Sequence, residues 1–300
     1  MRKMNGLSGI ATADSMGVQP ASVLVIATQE PEDLVESSAL VMSASQPDIV
    51  FTINDSGNDA MLFALDTTGA TRGRWRVGEA SNRDWEAASR GPCTRTVASC
   101  LFIGDVGDNN ARRSSVALYQ LEEPVLSATL GAGTLSATIL HFRYPDRAHD
   151  VEAMYVGPDG TVYLITKRAL KDGSGRLRPA LVFAVPPAAW GTRDSVVATL
   201  VDSLPIVPGS ADTRQITDAA LSNDSRYLAV RTYGQVFTFA TDSATGRVRK
   251  DVAPTRCNIV QTEAKHGEGL TWFAGGRELL LSNEGRNAPL HRITCPLPPR

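Results

Sequence analysis

The chain has 300 residues, 42% of them hydrophobic, and a formal net charge of −2. That apolar share supports a sizeable core, and repeat-built all-β chains of this length often form one domain. The near-neutral balance excludes the basic footprint that nucleic acid or an anionic membrane demands, and no apolar run approaches the ~20 residues that span a bilayer.

The start, Met1-Arg-Lys-Met-Asn-Gly, is slightly basic, but no apolar stretch follows it, so a signal peptide is not visible. Residues 1–21 are expected to form a poorly ordered N-terminal segment. The first strand is Ser22-Val-Leu-Val-Ile-Ala-Thr28, which has no partner beside it in sequence. After it comes a pattern written five times, an acid followed by a small and apolar run. It reads Glu36-Ser-Ser-Ala-Leu-Val, Glu86-Ala-Ala, Glu152-Ala-Met-Tyr-Val, Asp218-Ala-Ala-Leu and Glu268-Gly-Leu-Thr-Trp, in steps of 50, 66, 66 and 50 residues. A motif recurring at such a period signals a repeat architecture.

Each repeat continues alike. In the first, Asp48–Gly57 and Met61–Gly69 are each a strand ending in a polar turn, and Arg72–Val77 is a third, weaker strand. The second offers Cys100–Asn109 and Val116–Leu121, the third Gly160–Lys167 and Ala180–Val185. The fourth offers Arg226–Gly234 and Gln235–Phe239, the fifth Arg277–Gly285 and Pro289–Ile293. These β-branched, aromatic and aliphatic runs, cut by Gly, Asn, Asp and Ser, are the signature of antiparallel hairpins. Ala87-Ala-Ser and Ala188-Ala-Trp are read as a turn of helix at most. Insertions fall around Thr129-Leu-Gly-Ala-Gly-Thr and around Pro205-Ile-Val-Pro-Gly-Ser.

Four antiparallel strands per repeat, arranged radially, make a β-propeller. The expectation is an all-β chain in which residues 1–300 form a single β-propeller domain of five four-stranded blades. Six is the alternative, but no further acid-plus-strand start is found in the insertions. The fifth repeat lacks an outer strand, so Ser22–Thr28 is expected to complete it and close the ring, because an unpaired edge invites aggregation. Cys93 and Cys100 flank a short hairpin-like stretch, and Cys257 and Cys295 are then left to pair across the last repeat. An even count of paired cysteines favours a secreted or periplasmic protein, the alternative being free thiols in the cytosol. No oligomer is required, so a monomer is expected.

In a blade the first strand is innermost and the second runs antiparallel to it. The first strand's start and the second strand's end therefore meet at one face. That places Glu36, Glu86, Glu152, Asp218 and Glu268 around one channel as candidate metal ligands, with Asp84 and Asp150 two residues upstream of their repeats' acids. Asn54, Asp55, Asp105, Asp108, Lys167, Arg231 and Glu284 stand at or near second-strand ends. Crowded carboxylates need a proton or a cation between them. Their hard oxygens suit Ca2+ first and Mg2+ second, while acids that merely cap amides or pair with Lys167 and Arg231 are the alternative. Asp105-Val-Gly-Asp108-Asn has part of the look of a calcium loop, without EF-hand spacing. No GxSxG, HExxH or GxxxxGK[ST] is present. Candidate catalytic groups are Glu268 or Asp105 as general base, Lys167 and Arg231 gripping a small anionic substrate, and His266, two residues before Glu268, as base or ligand.

Asn54-Asp55-Ser-Gly, Asn82-x-Asp84-Trp-Glu86, Gly104-Asp105-Val-Gly-Asp108-Asn, Asp150-x-Glu152-Ala and Gly267-Glu268-Gly resemble a group of secreted bacterial β-propeller proteins of unclear activity. The likeness spans nearly the whole chain. More distantly, the Glu-Gly and Glu-Ala strand starts resemble the phytase-like esterase propellers. One inner-strand acid per blade is similar to the five-bladed calcium-activated nucleotidases. Those resemblances imply a calcium ion in the channel and hydrolysis of a phosphate ester or anhydride; a non-catalytic binding propeller locked by a structural metal is the other reading.

Overall fold

The computed structural model describes residues 19–94, 99–127, 129–167, 172–176, 178–192, 195–206, 215–259 and 267–299. Those residues form five sheets, each with four antiparallel neighbours beginning at an innermost strand, and three of them gain a further parallel strand at the outer edge. The innermost strands, in chain order, are Ser37–Met42, Trp85–Pro92, Val151–Val156, Ile216–Leu221 and Leu270–Trp272. They define blades one to five of a β-propeller. Among the described residues the one helical piece is a 3-10 turn at Pro187–Ala189. The other stretch read as a helical turn, Ala87–Ser89, lies inside the inner strand of blade two, because ladder pairing with Ser99–Asp105 overrides local alanine propensity.

Near the axis Ser37–Met42, Ile49–Asn54 and Val151–Val156 are buried at every position. Both of their faces are covered by neighbouring blades, so apolar–polar alternation vanishes. It returns further out: Thr71–Val77, the fourth strand of blade one, alternates from Arg72 onward. The apolar core accordingly divides into five clusters, one in each gap between adjacent blades. Turns follow their local chemistry. In Pro158-Asp-Gly160 the glycine sits at φ +82°, a region other residues rarely enter, and the Gly157 amide donates to the Thr161 carbonyl (2.8 Å).

The ring closes as expected. Ser22–Thr28 pairs antiparallel with Pro289–Thr294 and supplies the outer strand of blade five. Just ahead of it, Gln19–Pro20 adds a parallel strand outside Thr255–Asn258 of blade four. The expected poorly ordered N-terminal segment lies outside the described residues up to residue 18. The first insertion has a structural use: Gly131–Leu135 runs parallel to Gly73–Val77 and becomes a fifth strand of blade one. The second lies largely outside the described residues. Both disulfides form, Cys93–Cys100 across the first hairpin of blade two and Cys257–Cys295 between blades four and five.

At the axis the inner strands have no ladder partner on one side, and their amides need acceptors. Side chains of other blades provide them. Asp218 accepts from the Leu270 amide (2.6 Å), Thr271 from Met42 (3.0 Å) and Ser89 from Val156 (3.2 Å). The axis is therefore a stitched core with a mouth at either end.

Candidate functional site

In four blades the ladder between first and second strands skips one residue near the strand start, a β-bulge. The skipped residues are Ser38, Glu86, Glu152 and Thr217. Glu268 stands at the corresponding place in blade five. Thr217 Oγ1 donates to the carbonyls of Gly267 (3.2 Å) and Glu268 (3.4 Å). Ser38 Oγ meets Glu86 Oε2 at 3.1 Å and Glu268 Oε2 at 3.4 Å. All five side chains are buried. A bulge releases its residue from the ladder and turns it toward the axis, which is why these positions converge.

The five sequence acids are thus not equivalent. Glu86, Glu152 and Glu268 are brought together. Glu36 lies two residues before its blade's bulge, half-buried, and its Oε2 accepts from Asn58 Nδ2 (2.7 Å). Asp218 lies one residue after its bulge, fully buried, and serves the amides of Ala219, Leu270 and Leu40. Equal spacing in sequence missed this because a bulge changes the count by one.

A second tier lies just beyond the second strands, at Asp55, Val106, Lys167, Tyr233 and Glu284. Lys167 Nζ contacts Glu152 Oε1, and Tyr233 Oη lies 3.0 Å from Glu268 Oε1. Glu284 hydrogen-bonds Glu268. Asp55, Asp84 and Glu86 each offer a carboxylate oxygen within 4.8 Å of the others. Burial raises the pKa of Asp55, of Asp84 to about 6 and of Glu86 well above the usual carboxylate range, and neighbouring acids add to it. Burial raises Glu152 and Glu268 too, while Lys167 pulls both back. Glu284 is raised to about 8, by burial and then by Glu268. Glu152 Oε2 is buried with no hydrogen-bond partner among the described residues. The mouth thus holds several carboxylates against Lys167, and protons or a cation relieve that imbalance.

Asp105 is tied up by its own loop. Its Oδ1 accepts from the Asp84 amide (3.2 Å) and pairs with Arg113 Nη1 at 2.6 Å. Asp108 Oδ2 accepts from the Arg113 amide, and the Asp108 amide donates to Asp150 Oδ1. The calcium-loop look of this segment resolves into a knot that holds Asp84 in place. Arg231 is fully buried away from the mouth and donates to the carbonyls of Gly269 (2.6 Å) and Ser282 (2.7 Å) and to Asn283 Oδ1 (3.1 Å). Burial lowers its pKa to about 10. It clamps blade four to blade five. His266 lies outside the described residues. Sequence reasoning missed Ser38, Thr217 and Tyr233; Tyr233 follows Thr232 as Lys167 follows Thr166, a parallel hidden by the differing residue types.

No protein-family model matches the sequence, and no curated protein does either. Solved structures do resemble the fold. The glutaminyl cyclase of Myxococcus xanthus aligns over 93% of this chain and 98% of its own at 11% identity, with a TM-score of 0.50. The allergen Mala s 1 of Malassezia sympodialis aligns over 89% and 95% at 11% identity, with a TM-score of 0.52. The likeness is one of architecture. Among the described residues no helix is long and apolar enough to cross a membrane.

Proposed function

We propose that this is an extracytoplasmic cation-binding β-propeller, whose acidic mouth holds a divalent ion on Asp55, Asp84 and Glu86. The convergence of those three carboxylates within 4.8 Å carries the reading. The donor set fits: every side-chain donor is a hard oxygen, which suits Ca2+ before Mg2+, with carbonyls and water completing the shell. The unpartnered Glu152 Oε2 nearby adds to the demand for positive charge. Two disulfides fit an oxidising compartment. Of the five acids spaced along the sequence, Glu86 belongs to this cluster. Glu36, Glu152, Asp218 and Glu268 support it from the partners described above.

A second reading, hydrolysis of a phosphate ester or anhydride, is favoured by the Glu268–Glu284 carboxyl pair. With its pKa raised to about 8, Glu284 stays protonated at neutral pH beside an acceptor, as a general acid must. A bound cation would polarise a phosphoryl oxygen. Lys167, beside Glu152 at the mouth, is the cation for gripping an anion, since Arg231 is sealed between blades four and five. The likeness to phytase-like and nucleotidase propellers belongs to this reading. Calcium titration by calorimetry tests the first: wild type should bind one ion and Glu86→Gln should lose it, and failure of wild type to bind refutes the reading. A phosphoester panel tests the second: turnover should need calcium and fall in Glu284→Gln with binding intact. Calcium binding without turnover leaves the ion a structural role.

A further inference from the structure

The other end of the axis carries a different site. A cavity of about 160 Å³ opens there, lined by residues of all five blades. Its walls are mostly small and apolar, among them Ala88, Gly91, Val156 and Ala219, and Arg90 is the sole ionisable residue among the described lining residues. Arg90, half-buried near the end of Trp85–Pro92, reaches across the opening. One nitrogen donates to the Ser43 carbonyl of blade one (3.2 Å) and the other to Asn223 Oδ1 of blade four.

Two of the hydroxyls around it, those of Ser89 and Thr271, are donors in want of an acceptor. Ser89 Oγ takes the Val156 amide and Thr271 Oγ1 takes the Met42 amide. Among the described residues neither hydroxyl has an acceptor for its own proton. Asn223 Oδ1 is used by Arg90, and its Nδ2 donates to the Ala274 carbonyl. Two carboxylates lie outside the lining: Asp224, which accepts from Ser222 Oγ (2.7 Å), and Glu123, whose charge reaches Arg90. Glu123 already accepts from Ser43 Oγ, the Ala44 amide (3.1 Å) and Ser45 Oγ (3.0 Å). Arg90 commits two of its five N–H groups in these bonds.

We infer that this mouth is a binding site for a small monocarboxylate, held by the Arg90 guanidinium with the Ser89 and Thr271 hydroxyls donating to it. A guanidinium matches a planar carboxylate in a two-pronged fork. A single cation offsets a single negative charge, whereas a dianion would leave one charge buried and unpaired. The volume sets the size, since a cavity of about 150 Å³ takes a benzene-sized guest; a short-chain acid fits.

The test is amide NMR of the full chain, with chelator present so that the acidic mouth stays silent. The probes are sodium propionate and its neutral isostere propionamide. Saturable shifts centred on residues 88–91, 222–223 and 271 are expected with propionate and not with propionamide. Arg90→Gln should weaken binding about tenfold or more while the rest of the spectrum is retained. Arg90→Lys keeps the charge without the fork and should fall between; it decides the matter if Arg90→Gln does not fold. The inference is overturned by non-saturable shifts shared with chloride, by equal binding of propionamide, or by binding unchanged in Arg90→Lys.

Discussion

Gly107 shows how one missing side chain shapes the acidic mouth. A Cβ placed there would lie 2.6 Å from the Cγ atoms of both Asp84 and Glu86. Its amide also donates to the Asp84 carbonyl (3.2 Å). Gly107→Ala should therefore push apart two of the three proposed ligands and weaken calcium about tenfold or more, read by calorimetry against wild type. Titration belongs to this scale too. Asp84 and Glu284 have folded pKa values of about 6 and about 8, above ordinary values of 3.8 and 4.5. The folded chain holds protons that the unfolded chain releases, so this stabilisation is full below the ordinary values and is lost as pH rises through the folded ones. Melting scans of calcium-free protein should show the midpoint falling between about pH 4.5 and 8. Calcium should flatten that fall, since it replaces the protons; a midpoint that rises over this window would contradict the assignment.

At the scale of elements, the bulge at the start of the inner strands does the positioning. It sends Glu86 and Glu152 inward where a regular strand would direct them into the blade gap. The acids could be found in the sequence, but whether each fell before, on or after a bulge could not, because the bulge is a property of two paired strands. Asp218 illustrates the cost: the same motif, shifted by one place, yields a buried amide acceptor. The disulfides act between elements as well. Cys257–Cys295 closes a span of 38 residues across two blades, and Cys93–Cys100 a span of 7 within one hairpin. By loop entropy, removing the first as a Cys257→Ser/Cys295→Ser pair should cost about 4 kcal/mol and the second about 2 kcal/mol. Urea unfolding of the two double variants checks the order.

For the whole molecule the decisive contact is the one between its ends. Ser22–Thr28 closes blade five and Gln19–Pro20 edges blade four, so a ten-residue stretch holds two blades together. A chain begun at residue 29 should lose the cooperative unfolding transition and self-associate through the bared edge of Pro289–Thr294. Size-exclusion chromatography and a melting scan would show it, and a monomer with an unchanged midpoint would refute it.

The strand content, the fivefold repetition, the closing strand and both cysteine pairings were legible in the sequence, because each is written in local composition and in spacing along the chain. The partners of the charges were not. Arg231 and Lys167 look alike as cations near second-strand ends, yet one is sealed between blades on three acceptors and the other faces the carboxylates at the mouth. The three-carboxylate cluster and the guanidinium across the far mouth join residues of different blades, or of strand and loop. Which groups meet at an axis depends on how sheets pack and twist around it, and only the folded ring decides that.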